Sequence, residues 1–582
     1  MHLEPTGAWW LLGVCAALVV AFLLTAHFTK LKTKLPRFYS WIGAIAIFGG
    51  ALAFLLPIAL NSGFGKDDDG RVLRQLILYA TGGLLGVITL GETHRKNNQE
   101  KEKNENDHTR QVYAERRSRY TKAVEQLANE KAAVRLGGIY TLVGLVDEWL
   151  ADDTLAPEER QKEGQVIINN LCSYIRSPFP LAAKIEEYEA HKKLEELKKK
   201  ESENILIGAE PFTFNALSER FTNTQNYKKP KDITTDYAKF HEEQDVRRTI
   251  FVEMSKRSST FTMNEQDEII ETISGMWSDF DFDFSRAPVF YPLNAITIEK
   301  GNFSSAKFYS NADFSEAKFT QTADFSRAKF TQNAYFSWAT FAQNAYFSGT
   351  MFTQDAGFGG TTFTQDTDFS GTTFAQDTNF SRTTFTQDTD FSRTMFIQNA
   401  YFSRATFTQD ASFYRATFTQ NANFRRAIFT QNADFHRAAF TQTANFSEAT
   451  FTQNANFSRT TFTQTANFSE AIFTQNADFH NATFSAISPK FVETSEVKFM
   501  EISKVLERTF RARFATLPKN QRAYGFTVSE DSFPILLGEA ELDGVKHHIP
   551  VGTVLFDPSS GETSAPAKPL DKSNDGEEDK SK

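Results

Sequence analysis

Apolar and polar residues alternate in three different rhythms along the 582 residues. The first is continuous. Apolar runs cover about 8–28, 41–60 and 72–91, each near the length that spans a bilayer core. The third is the weakest, because Arg74 and Gln75 lie near its start. The second rhythm is helical and runs from about Asn97 to Gly275. Residues 97–111 are almost wholly charged or amide, and amphipathic spacing follows through Val124, Leu127, Ala132 and Val134. Residues 136–146 predict a buried helix. Ala156-Pro157-Glu158-Glu159 predicts a helix start with acids in its first turn. Lys184–Glu203 predicts a solvated helix, 204–240 a loop-rich stretch, and Glu243–Gly275 further helix.

The third rhythm is the strictest. From Phe303 to Phe484 the phenylalanines are spaced alternately five and six residues apart, so the period is eleven. The unit is A-[DN]-F-S-x-A-x-F-T-Q-x, and seventeen copies hold thirty-four of the fifty-eight phenylalanines. So short a unit cannot bury its own apolar face, and stacked neighbours must do it. On a helix a five-residue step turns the second Phe by about 140°, which leaves no single seam. Thr, Ser, Asn and Asp are also mediocre helix formers. A β reading fits: Ala312 precedes Phe314 by two residues, and Thr361 precedes Phe363 likewise. Side chains two apart share one face of a strand.

After Phe484 the period stops. Val497, Phe499, Ile502, Val505, Leu506, Phe510 and Phe514 follow helical spacing and predict a helix that covers the last strand edges. Short alternations from Gly525 to Phe556, with a turn at Leu542-Asp543-Gly544, predict a small β-meander. The Ser-, Pro- and charge-rich end predicts disorder.

Ala323-Asp324-Phe325-Ser326-Arg327 and Ala328-Lys329-Phe330-Thr331-Gln332 resemble two units of the pentapeptide-repeat family, A-[DN]-L/F-x-x. The resemblance covers 302–487 and implies a right-handed, four-sided β-helix. An extra residue follows every second unit, as at Thr322, Asn333 and Asp355, so a coil takes 22 residues and has two enlarged corners. Seventeen units then make about 8.5 coils, a rod of roughly 40 Å. Arg135-Leu136-Gly137-Gly138-Ile139-Tyr140 and Leu171-Cys172-Ser173-Tyr174-Ile175-Arg176 resemble the helical module before the repeats in bacterial membrane-linked members. The expected fold is therefore multi-domain. It comprises a three-helix transmembrane region (1–92), a cytosolic α-helical region (93–275) and a right-handed quadrilateral β-solenoid (276–487, its first coil entered at Trp277–Phe290). A small C-terminal α/β remainder, capping helix and meander (488–556), and a disordered tail (557–582) complete it.

Charge places these parts. Lys30, Lys32, Lys34 and Arg37 lie between the first two runs. Lys66, Asp67, Asp68, Asp69 and Arg71 follow the second, and His94, Arg95 and Lys96 the third. The positive-inside rule sets the N-terminus outside and everything after Glu92 in the cytoplasm of a multi-pass plasma-membrane protein. Met1-His2-Leu3-Glu4-Pro5 is not the basic leader of a cleaved signal. Two cysteines, Cys15 and Cys172, make no disulfide framework. The net charge of -9 is mild and spread out, and does not argue for a nucleic-acid partner.

Chemistry is sparse. No phosphate loop, dinucleotide fingerprint, HExxH or paired CxxC occurs, so no catalytic, cofactor or metal residues are assigned. His547-His548 and Asp67-Asp68-Asp69 are too few ligands to close a metal site. Gly82 and Gly86 form a GxxxG that predicts close helix packing. The glutamine row Gln321–Gln475 is expected to pair from coil to coil. Arginine stands two residues after the first Phe of a unit at Arg382, Arg393, Arg404, Arg415, Arg426 and Arg437, then Arg459. Of these, Arg393, Arg415, Arg437 and Arg459 fall 22 apart and form an expected ladder for an anionic partner, with Asp388, Asp410 and Asp434 as the competing neutralisers. The expected function is a membrane-anchored scaffold: the bilayer is one partner, and a protein on the solenoid face is the other. The spans also leave room for a homo-oligomer. The alternative implied by the family is a DNA-mimic, gyrase-binding protein of the quinolone-resistance type. That role needs a strongly acidic rod, and 302–487 carry fourteen acids against twelve bases.

Overall fold

A computed structural model describes residues 4–28, 37–62, 69–206, 210–222, 229–264, 269–498, 505–517 and 524–570. Lys30, Lys32, Lys34, Lys66, Asp67, Asp68, Phe499, Ile502 and 571–582 lie outside the described residues. The chain divides into two compact units, Met1–Ser118 and Arg119–Lys582.

The first unit holds α1 (Pro5–Phe28), α2 (Arg37–Ala59) and most of α3 (Asp69–Leu127). Ala8 and Leu12 of α1 bury against Ala59, Leu52, Leu55 and Leu56 of α2. The close approach of α2 to α3 is at Gly49, where a Cβ would stand 2.3 Å from Thr81 Cγ2. The GxxxG expectation is thereby corrected, since a Cβ at Gly82 or Gly86 would meet no atom within 4 Å. All three helices are long and apolar enough to cross a membrane. The third does not stop at its apolar end, and continues through the charged stretch to Leu127 as one helix.

The second unit begins with α4 (Ala132–Leu150), α5 (Pro157–Arg176), α6 (Pro180–Ser202), α7 (Glu210–Thr222) and α8 (Ile233–Ser255). Two expectations fail here. The loop-rich stretch contains α7 and the start of α8, with the Asp232 side chain accepting from the Thr235 N–H. The helix expected to reach Gly275 ends at Ser255, and Thr260–Met263 pairs antiparallel with Ile269–Ile273. Thr, Phe and Ile in those two pieces favour the pleated form once the helix has ended at Ser255.

From Phe282 the chain winds into a four-sided solenoid of two-residue strands. In one coil the strands are Ala323–Asp324, Lys329–Phe330, Ala334–Tyr335 and Thr340–Phe341, on the first to fourth faces. Each pairs in parallel with the strand 22 residues on, so Ala323 lies beside Ala345 and Phe330 beside Phe352. All thirty-four clock phenylalanines are 1% exposed or less. Their rings form four parallel stacks. The first-face stack runs from Phe303 through Phe325 (5.0 Å) and Phe347 (5.0 Å) to Phe479, which lies 5.0 Å from Phe457. Where Thr replaces the small Ala, its buried hydroxyl donates to a carbonyl of the previous coil, as Thr361 does to Phe336 O at 2.6 Å. Coil-to-coil bonds between side chains come mainly from the Asx row: Asn421 Nδ2 donates to Asn399 Oδ1 (3.2 Å) and Asn454 Nδ2 to Asn432 Oδ1 (3.0 Å), whereas of the expected glutamine row only Gln321, among the described residues, reaches back one coil, to Glu299 (3.2 Å).

Both ends of the stack are closed. At the start, Phe251 of α8 lies 4.6 Å from Phe284 and 6.2 Å from Phe303. At the far end the expected capping helix is absent from the described residues. Val492–Lys498 pairs antiparallel with Val505–Arg511 instead. The rings go on without the period: Phe491 continues the third stack (5.3 Å from Phe468), Phe514 the fourth (5.0 Å from Phe473) and Phe526 the first (5.9 Å from Phe479). Arg513–Ala515 and then Val554–Phe556 extend the fourth face. The hairpin at Asp543-Gly544 forms, with both residues at positive φ. Residues 557–570 are structured, contrary to the expected disorder, because Lys568–Pro569 pairs with Gly538–Glu539.

Candidate interaction surface of the solenoid

Each coil turns two of its corners through the same local device. After the first-face strand Ala323–Asp324, Phe325 points inward and Ser326-Arg327 make a turn closed by the Ala328 N–H on Phe325 O (2.9 Å). Arg327 has φ 57°, a left-handed conformation that costs a side-chain-bearing residue about 1–2 kcal/mol. Its N–H donates to Ser348 O of the next coil (2.9 Å), and this bond helps to fix the conformation. The positive-φ residue recurs every eleven residues and faces out, so it forms two edges. The first edge joins the first and second faces, and the second edge joins the third and fourth.

Arg393, Arg415, Arg437 and Arg459 share the first edge. Successive bonds from Arg393 N to Tyr414 O, Arg415 N to His436 O and Arg437 N to Ser458 O place them one coil apart. All four are exposed at φ 56–59°. Asp388, Asp410 and Asp434 do not neutralise them; among the described residues no carboxylate comes within ion-pair distance of these guanidiniums. Those aspartates line a groove on the first face with Asp366, Asp368 and Asp390.

The alternate arginines of the same row, Arg382, Arg404 and Arg426, lie outside the expected ladder and form the second edge. There Trp338, Gly360, Arg382, Arg404 and Arg426 follow one another at φ 58–71°, and a groove of ≈ 570 Å³ runs along them. Gly359-Gly360 is its dip. The Trp338 ring folds over Gly360, where a Cβ would meet it at 2.7 Å, so a side chain here must displace the exposed ring. At the far end Glu448 takes Arg425 Nε (2.8 Å) and Arg426 Nε (2.5 Å). Partial burial opposes ionisation of Glu448, but the hydrogen bonds from Arg426 and Arg425 outweigh it and hold the carboxyl below its ordinary value. Arg382 and Arg404 have no such acid among the described residues.

The backbone of this edge differs too. In most turns the Ser N–H donates to the Asn or Asp two residues earlier, as Ser381 does to Asn379 (2.9 Å) and Ser458 to Asn456 (3.0 Å). Tyr335, Gly357 and Tyr401 replace that acceptor on the third face. Among the described residues the N–H groups of Ser337, Gly359 and Ser403 therefore have no acceptor, a state shared by Ser348 on the first edge. The missing signal was present as breaks in the A-[DN]-F register.

A family model described as pentapeptide repeats (9 copies) matches 303–351, 314–362, 347–395, 391–439 and 435–483. Residues 303–483 are pentapeptide repeats. No curated protein and no solved structure matches the chain. A helical module precedes the pentapeptide repeats, and its two resembling motifs meet in one buried network. Arg247 of α8 donates to Glu243 (2.7 Å), Ile175 O (2.7 Å) and Ser177 O (3.1 Å). Arg135 and the Tyr174 hydroxyl reach the same Glu243 carboxylate, at 3.2 and 3.0 Å. Gly138 admits the turn at Ala123, whose carbonyl a Cβ would meet at 2.8 Å. These groups join the module to the first coil through Phe290, over which Arg247 lies at 5.3 Å. The His547-His548 pair does not converge: Leu517 N–H donates to His547 Nε2 (3.2 Å), and His548 turns to Glu539 (4.0 Å). Among the described residues no group of side chains is arranged to hold a metal ion.

Proposed function

We propose that the protein is a membrane-anchored, non-catalytic scaffold whose pentapeptide-repeat solenoid presents its outer rows to a protein partner in the cytoplasm. One observation carries this reading. The solenoid interior is filled by stacked rings at 1% exposure or less, so what the rod offers is its surface. Three apolar helices support anchoring, and the basic residues around Lys30–Arg37 and His94–Lys96 support an N-terminus outside. Protease treatment of intact cells carrying a C-terminal tag tests the topology. The tag is expected to survive, and cleavage from outside overturns it. Crosslinking in native membranes from positions on the solenoid edges tests the scaffold. A specific protein adduct is expected, and adducts to lipid alone would sink it.

The DNA-mimic alternative draws on the aspartate groove of the first face. That acid occupies one face, and the arginines of the first edge border it, whereas a duplex imitation needs acid along the rod. Gyrase inhibition by the full-length protein would reverse this preference.

A further inference from the structure

We infer that the groove on the second edge is a docking site for an extended acidic peptide segment of a protein partner, an assignment that rests on the scaffold reading. Three independent features converge there. Arg382 and Arg404 are exposed, adjacent along the stack, and have no carboxylate partner among the described residues. The Ser337, Gly359 and Ser403 N–H groups lack an acceptor. In the neighbouring coils the same N–H is met by a side chain on the outer surface, so these three point outward into the groove. The Trp338 ring, 62% exposed, walls one end and offers a flat apolar contact beside the charges.

Glu448 favours a carboxylate as the ligand. It stands one coil beyond Arg426 on the same edge, and its two oxygens are taken by Arg425 and Arg426. A carboxylate in this column is thus already bound once by the chain itself, and the two arginines further up the column repeat the donor without the acid. Ser337 and Gly359 stand one coil apart and Ser403 two coils further on, and outward N–H groups of this kind take carbonyl oxygens of an extended peptide. A nucleic acid fits less well. The groove has one aromatic platform, and the first face of the same rod is lined by carboxylates that repel phosphates.

The test uses the full-length protein in detergent and a fluorescein-labelled oligoglutamate, followed by anisotropy. Binding is expected. Arg382→Glu with Arg404→Glu should weaken it about tenfold or more through loss of two charge-assisted contacts. Arg393→Glu with Arg415→Glu should leave it within about twofold, since the first edge is the corner of the four-sided coil diagonally opposite the second. The decisive variant is Tyr335→Asn/Gly357→Asn/Tyr401→Asn. It gives each free N–H the acceptor that other coils have, keeps every arginine, and should weaken binding while leaving the melting temperature level or higher. No binding, equal loss from the first-edge variant, or tighter arginine-dependent binding of single-stranded DNA or anionic vesicles overturns the assignment. A partner crosslinked elsewhere on the solenoid would then leave the scaffold reading standing.

Discussion

Single side chains carry the fold through repetition, which makes each one costly. Phe391 lies 4.9 Å from both Phe369 and Phe413 and is edge-on to Phe380 and Phe402. Phe391→Ala removes parallel stacking on two sides and edge contacts on two, and relaxation is restricted by the coils above and below. It should cost about 3–5 kcal/mol, read as a lowered denaturant midpoint. Asp355 is the opposite case. Burial, and after it the neighbouring Asp377, raise its carboxyl above the ordinary value. A raised folded value means that the native state holds the proton more tightly than the unfolded chain. Stability therefore falls as pH rises from the unfolded value through the folded one, and the loss is complete well above both. Asp355→Asn should raise the midpoint at pH 7, with the gain vanishing below about pH 3.5. Asn399 in the same column already bonds Asp377 through Nδ2 (3.1 Å), so the amide fits.

Elements were legible where one period dominates. The phenylalanine spacing determines strand, inward face and coil length together, and the buried α4 and the Pro157 start of α5 were readable from pattern and capping chemistry. Weak or mixed patterns misled. Val497 to Phe514 matches helical spacing loosely, yet Phe514 is claimed by the ring stack, which fixes its neighbours as strand. Long-range stacking decided that segment, and local propensity did not. Among site residues, the arithmetic of 22 found the first-edge arginines. The same row contains the second-edge arginines, but the groove beside them was not legible, because it depends on substitutions, Tyr335, Gly357 and Tyr401, that look like noise in a repeat. The helical module supplies a prediction at this scale. Burial pushes the Cys172 thiol up to about 12, so it should resist alkylation at neutral pH until the module opens. Arg247→Met strands part of the buried Glu243 charge. It should destabilise the module by about 3–5 kcal/mol and speed Cys172 alkylation, measured by mass shift over time.

Across the whole solenoid, 22 residues are the unit of tolerance. Deleting 370–391 removes one coil and restores every stack and both edges. Such a variant should keep its strand signal by circular dichroism and melt cooperatively, because stability in stacked arrays is close to a sum over neighbours. Deleting 370–374 shifts all later strands by one face, sets Phe against the wrong stack, and should give an aggregating product on size-exclusion chromatography.

Parallel in-register strands with stacked identical side chains are also the geometry of amyloid, in which each new copy is templated by an open end. Here α8 seats a phenylalanine on one end of the ring columns, and the chain beyond Phe484 folds back to roof the other. With both ends of the ring columns covered, neither is left as an open template, and a fibril-like core stays confined within one chain.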